Sequence, residues 1–169
     1  SRCRNAADVL VSVNYARHHG LAIAVRSGGH NVAGYAVCDG GLMIDMSLMN
    51  TVRVAPALDQ AFVEGGATWA DVDAATTPFG RATPGGLISA TGVAGLTLSG
   101  GIGWLRGSLR LSCDNVLAAD IVTADGRLTR ASEAENPDLL WALKGGGGNF
   151  GIVVHFEFNL HPIEAETIF

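Results

Sequence analysis

A chain of 169 residues is long enough for one domain with a sizeable core. At 48% apolar and only 16% charged residues it is not a disordered segment, and a net charge of -5 without a Lys/Arg cluster argues against nucleic acid as a partner. No apolar run approaches the roughly 20 residues needed to cross a membrane, so no membrane role is expected.

The first element read along the chain is a helix over 5–19. Ala6, Val9, Leu10, Val13 and Ala16 recur at helical spacing, Asn5 suits the N-cap and Gly20 the stop. The apolar run 21–26 reads as a short buried strand, followed by a glycine-spaced loop to Gly41. Short strands are expected at 42–45, 51–55 and 60–64, closing a small α/β unit at about residue 66. Thr68 can cap a helix over 69–76 with Asp71 completing the cap, and Pro78 and Gly80 end it. From 81 to 107 the residues are nearly all small, which suits a backbone packed against a flat ligand. Residues 115–123 and 127–131 read as a hairpin around Ala124-Asp125-Gly126, and a helix near 137–143 opens with Pro137. The last strand, 151–160, alternates Ile152, Val154, Phe156, Phe158 and Leu160 on one face. This order predicts an α+β fold in two lobes, approximately 1–66 and 67–169.

Ser1 leads almost directly into a helix, with neither a starting Met nor a signal peptide before it. The chain is therefore expected to be a piece of a longer protein. A cytoplasmic location is favoured, and any upstream signal would be invisible. Cys3, Cys38 and Cys113 are far apart and odd in number, so no disulfide framework is expected. Adjacent His18 and His19 diverge on a helix, and no other spacing suggests a metal, so none is expected. Together with His155 and His161 they are read as structural or solvated.

The richest segment is Arg26-Ser-Gly-Gly-His-Asn31. A strand that empties into Ser27-Gly28-Gly29 frees backbone amides to approach an anion, because glycine has no Cβ to block it. Arg26 could neutralise that anion, and His30 stands nearby with a nucleophilic ring nitrogen. The plain alternative is a surface turn with an incidental histidine. Gly146-Gly-Gly-Asn-Phe-Gly151 matches Gly-x-Gly-x-x-Gly, yet a helix precedes it and a strand follows, the reverse of a dinucleotide fingerprint. A P-loop motif is absent from the sequence.

Further segments accompany this one in order. They are Gly40-Gly-Leu-Met-Ile-Asp-Met-Ser47, Ala82-Thr-Pro-Gly-Gly86, the run from Thr91 through Gly92, Ala94, Gly95, Gly100, Gly101 and Gly103 to Trp104 and Leu105, then Cys113-Asp-Asn115, Glu135–Leu143 and Gly145–Gly151. As a set they resemble the FAD-binding (PCMH-type) domain of berberine-bridge-enzyme-like FAD-linked oxidases, in the vanillyl-alcohol-oxidase superfamily.

The resemblance covers nearly the whole chain and implies two α/β lobes with FAD between them. It implies substrate hydride passing to flavin N5, a protein base taking the proton, and reoxidation by O₂ to H₂O₂. The implied cofactor-contacting positions are Arg26, Ser27, Gly28, Gly29, His30, Asn31, Gly34, Ser47, Pro84, Gly85, Gly86, Thr91, Gly92, Ala94, Gly95, Gly100, Gly101, Gly103, Trp104, Asp114, Asn115, Gly148, Asn149, Gly151, Ile152 and Val153. Within them, amides of 27–31 and 92–103 would hold the diphosphate. His30 matches the position that bonds covalently to the flavin 8α-methyl.

Some family members add a second bond from a Cys before the Gly-Val-x-Gly run. Residues 85–91 contain no Cys here, so a single attachment is expected. Arg110 stands where the family pattern has Gly, which gives the 105–112 loop a different path. The domain that would roof the substrate is expected to lie outside this chain, as is the catalytic base, so no catalytic residue is named. The expected partners are a small-molecule substrate and that missing domain. Two other readings stand beside the oxidase: a flavin-binding module without turnover, and an NADPH-dependent reductase of the same superfamily.

Several residues carry alternatives. Trp104 and Trp141 are read as core more readily than as cofactor-stacking, and Tyr35 as packing or lying over the ring system. Asp45 and Ser47 could end a strand or bind diphosphate or ribose, and Asp114-Asn115 could be a turn or a polar group near the flavin.

Overall fold

A computed structural model describes residues 1–163. Helix α1 spans Ala6–His19, its Asn5 N-cap accepting from the Asp8 N–H and Gly20 closing it at φ 63. Strands β1 (Ile23–Arg26) and β2 (Leu42–Asp45) pair in parallel, Arg26 opposite Asp45. A parallel pair needs a crossover. Here it is the 27–41 loop, which has no helix or strand of its own. Structureless connections beyond about 12–15 residues are usually functional.

Five antiparallel strands form the main sheet in the order β3-β4-β8-β6-β7. They are β3 (Val52–Ala55), β4 (Gln60–Glu64), β6 (Val116–Val122), β7 (Leu128–Ser132) and β8 (Ile152–Asn159). Strand β4, placed by sequence with the first unit, pairs with β8 of the later part of the chain. The alternation of Val63, Phe156 and Phe158 buries one face of this sheet with Trp69 and Val72 of α2 (Trp69–Thr76) and Leu140 and Leu143 of α5 (Pro137–Leu143). A second cluster joins Val9 and Val13 of α1 to Ile44, Met46, Val122, Ile152 and Val154, which seats the small sheet against the large one. Asp71 accepts from both the N–H and the hydroxyl of Thr68, fixing the start of α2 as its sequence suggests.

The small-residue stretch contains structure that sequence patterning does not reveal. Strand β5 (Arg81–Ala82) pairs with β9 (His161–Pro162), and α3 (Val93–Leu98) and α4 (Arg106–Leu109) interrupt the loops. Arg110 follows α4 at φ 68 and ψ −155, a conformation that suits glycine. Holding a residue with a Cβ there costs on the order of 1–3 kcal/mol. Replacing Arg110→Gly is therefore expected to raise stability by about 1 kcal/mol, after the greater freedom of Gly in the unfolded chain is discounted. Denaturant melts would show this as a higher midpoint with an unchanged slope, and a lower midpoint would remove the strain argument.

Trp104 and Trp141 correct the expectation of core positions: both are largely exposed, at 64% and 80%. Trp104 follows a glycine turn, and Trp141 sits on the outward side of α5 while Leu140 and Leu143 take the inner side.

Candidate flavin site

The 27–41 loop and the start of α3 meet backbone to backbone. A Cβ on Gly28 would lie 2.6 Å from the Gly92 Cα, and one on Gly92 would lie 2.8 Å from the Gly28 Cα. Only glycine permits that approach. Ser27 Oγ donates to the Gly65 carbonyl at 2.8 Å, tying the same loop to the end of β4. The α3 side is held by Val93 N–H donating to Ala67 O at 2.9 Å and Trp69 N–H to Thr91 O at 3.0 Å.

Between these loops lies a cavity of about 460 Å³, within the range of small-molecule and cofactor sites. Four segments line it: Ser27–Val32, Thr91 and Gly92 with the inner face of α3, Gly148, and Gly151–Val153. Thirteen positions implied by sequence therefore come together: Ser27, Gly28, Gly29, His30, Asn31, Thr91, Gly92, Ala94, Gly95, Gly148, Gly151, Ile152 and Val153. Val25, Val32, Tyr35, Ala36, Met46, Gly65, Leu96, Leu98 and Ser99 complete the wall. Reading 92–99 as a helix would have revealed part of these, since Gly95 and Ser99, and Ala94 and Leu98, are four apart on one side. Tyr35 is exposed and stands at this wall, not in the core.

The other implied positions lie outside the cavity wall, and most have internal duties. Gly85 and Gly86 press on the Trp69 indole, and Gly103 on the Gly85 carbonyl. Gly101, at φ 84, has no room for a Cβ beside Ser112. Asn115 donates to the carbonyls of Leu109 and Leu111, both at 2.9 Å, and accepts from His161 Nε2 at 2.6 Å. Asp114 accepts from the Leu111 N–H, and Asn149 donates to the Gly146 carbonyl within its own turn. Gly34 and Gly100 adopt positive φ in turns, while Pro84 and Trp104 stand apart from the wall.

Arg26 is paired with Asp45. Its Nη1 lies 3.2 Å from Asp45 Oδ1, and the same oxygen accepts from the Ser47 N–H at 3.0 Å. Asp45 is buried, which works against its ionisation. The Ser47 hydrogen bonds and the Arg26 charge outweigh this and hold the carboxyl below its ordinary value. Among the described residues, no cluster of His, Cys, Asp or Glu is placed to hold a metal.

His30 is exposed, and its Nε2 lies 3.1 Å from the Ala90 carbonyl. A carbonyl only accepts, so Nε2 carries a hydrogen, and in the neutral ring the lone pair is on Nδ1. Cys113 is buried; burial first, then the neighbouring Asp114, push its thiol up and keep it protonated and inert.

An α+β fold that gathers glycine loops and a nucleophilic imidazole around one cofactor-sized cavity defines a flavin-nucleotide-binding domain. A family profile described as an FAD binding domain matches residues 1–132, and the chain belongs to that family, in its berberine-bridge-enzyme-like, PCMH-type branch. The chain is 42% identical over 168 residues to (R)-6-hydroxynicotine oxidase of Paenarthrobacter nicotinovorans, covering 99% of this chain and 37% of that protein. Its fold matches the crystal structure of 6-hydroxy-D-nicotine oxidase from Arthrobacter nicotinovorans with a TM-score of 0.93 at 43% identity, over 95% of this chain and 36% of the other. Glucooligosaccharide oxidase from Acremonium strictum, an enzyme with 6-S-cysteinyl, 8α-N1-histidyl FAD, matches with a TM-score of 0.90 at 35% identity, over 95% of this chain and 34% of that one. The chain spans about a third of the length of these relatives.

The residues present fit FAD. Gly95 and Gly148 line the cavity, yet a Cβ built on either meets no atom within 4 Å. Their smallness serves no contact within the protein and leaves room for a ligand.

Proposed function

We propose that this chain is the flavin-holding part of an FAD-dependent oxidase of small molecules, with FAD attached covalently through His30 alone. When bound, FAD supplies a two-electron acceptor that takes a hydride from substrate at N5 and passes the electrons to O₂, giving H₂O₂. The observation that carries the reading is the His30 imidazole at the cavity with Nε2–H committed to Ala90 and Nδ1 free.

The Gly28–Gly92 contact holds the two halves of the cradle together, and Ser27 anchors one of them to Gly65. Val25, Met46, Leu96, Leu98 and Ile152 give the cavity an apolar wall against which the flavin ring would pack. Attachment would join His30 Nδ1 to the flavin 8α-carbon. On attachment His30 would lose its N–H proton and the flavin one methyl hydrogen, with O₂ as the two-electron oxidant, reduced to H₂O₂. The absence of Cys in 85–91 and the inert burial of Cys113 support single attachment.

Leu87, Ile88, Ile102 and Trp104 are all exposed, on segments that touch where Gly103 meets Gly85. We assign this apolar surface to contact with a substrate-bearing portion of the kind that the greater length of the relatives provides. The direct test is to denature the purified protein and follow yellow fluorescence and mass. Retained flavin with the mass of one FAD supports the reading, and a colourless denatured chain removes it.

A further inference from the structure

Tyr35 lines the cavity and is 76% exposed. Its ring enters none of the aromatic pairs among the described residues. A ring of this size carries a large apolar face that gains by being covered. The backbone beneath it is nonetheless held. Asn31 Oδ1 accepts from the Tyr35 N–H at 3.0 Å, and the Asn31 carbonyl accepts from the Gly34 N–H at 3.1 Å. The Gly34 carbonyl in turn accepts from the Val37 N–H at 3.2 Å. Gly34 stands at φ 83, and a Cβ built there meets no atom within 4 Å. Glycine is needed at this position for the bend and not for close packing. The 31–37 stretch therefore folds on itself and fixes an aromatic for which the fold supplies no ring partner.

The bend also decides where Tyr35 lies. Asn31 is the neighbour of His30, so the Tyr35 backbone is bonded to the residue beside the attachment position. A flat group held by His30 lies within reach of the Tyr35 ring.

We propose that Tyr35 is an aromatic cover of the bound flavin: its ring packs on the isoalloxazine beside the carbon that His30 holds, and Asn31 is the positioning residue that closes the bend. This rests on the flavin reading of the cavity given above. The Asn31 amide oxygen is committed within the loop, so its side chain serves the cofactor through Tyr35. Planar heteroaromatic rings stack on tyrosine through their π faces, and the hydroxyl is not needed for that contact.

The test uses the full chain. Non-covalent FAD affinity is measured in a His30→Ala background, and the emission lifetime of the flavin is measured in the otherwise unchanged protein. Tyr35→Ala is expected to weaken FAD binding by about 5- to 150-fold, the usual effect of removing a stacking ring. Tyr35→Phe should bind within about threefold of the parent, because the face is kept. A phenol in contact with an excited flavin lends it an electron and takes it back, which shortens the emission, and a phenyl ring does not. Tyr35→Phe should therefore lengthen the flavin lifetime, a readout that a merely structural role would not move. Asn31→Ala should weaken binding in the same direction, and Asn31→Ala/Tyr35→Ala should be no weaker than Tyr35→Ala alone, because the two act as one unit. Flavin-free Tyr35→Ala should melt with the parent. Parental FAD affinity in Tyr35→Ala, or a parental lifetime in Tyr35→Phe, would overturn the proposal, as would a flavin-free Tyr35→Ala that melts well below the parent. If the parent binds no FAD, the flavin reading of the cavity fails first and this proposal falls with it.

Discussion

Replacing His30→Ala is expected to abolish flavin retained by the denatured polypeptide while leaving FAD bound to the native protein. The change is from essentially complete to absent, because no cysteine lines the cavity. The 85–91 segment has no Cys, Cys3 and Cys113 are buried, and the Cys113 thiol is held protonated by its surroundings. The fold should be indifferent. His30 is exposed and makes one hydrogen bond, to Ala90 O, so its loss costs about 1 kcal/mol or less. Melting temperatures of the flavin-free forms should therefore nearly coincide. In-gel fluorescence and intact mass read the attachment. Retention of flavin by the variant would redirect attention to Cys38, the half-buried cysteine in the same loop as His30. The linkage atom is a second, independent readout. With Nε2–H engaged by Ala90, fragmentation or NMR of the flavin peptide should report an Nδ1 bond, and an Nε2 bond would contradict the hydrogen-bonded tautomer.

The elements most legible in the sequence are those whose signals are local. The Asn5 cap and Gly20 stop delimit α1, the Thr68–Asp71 pattern starts α2, and Pro137 opens α5. The alternation in the last strand holds for Phe156, Phe158 and Leu160 on the main-core face, but Ile152 and Val154 face the second cluster and Val153 the first, because the pairing with β6 shifts register between Asp120 and Ile121. What escaped was set by distant partners. Pairing of β4 with β8 joins residues far apart in sequence, and nothing within 60–64 encodes its neighbour. Helix α3 was hidden because Val93–Leu98 contains Gly95 and small residues that read as loop. Half of the implied site residues converge on the cavity, because the motifs that name them come from loops that meet at Gly28 and Gly92. Several of the rest have contacts inside the protein that call for a small or polar residue. Trp69 needs Gly85 and Gly86, and the 105–112 loop needs Asn115. Sequence alone does not separate a glycine that faces a ligand from one that faces a neighbouring chain segment.

That separation gives the second large effect. Within the glycine run after Thr91, Gly95 and Gly101 should respond in opposite ways. A Cβ on Gly101 would lie 2.5 Å from Ser112 Cβ and 3.1 Å from Leu96 Cδ2, at a backbone φ of 84. Ser112 cannot retreat: it is fully buried, and its N–H and hydroxyl both bond the Gly101 carbonyl, at 3.0 and 3.3 Å. Gly101→Val therefore combines a steric clash with a strained backbone and should destabilise the flavin-free fold by about 3 kcal/mol or more. Gly95 lies inside α3 and its Cβ would meet nothing within 4 Å. Gly95→Ala should leave that fold unchanged or stabilise it by up to about 1 kcal/mol, the ordinary preference of a helix interior for alanine over glycine. The added methyl would instead occupy cavity space, and overpacking of about 1–3 kcal/mol corresponds to roughly a 5- to 150-fold loss of FAD affinity. Denaturant melts of the flavin-free proteins and FAD titrations in the His30→Ala background resolve the two terms. If Gly95→Ala binds FAD as tightly as the parent, α3 does not face the cofactor, and the cavity must be assigned to another ligand.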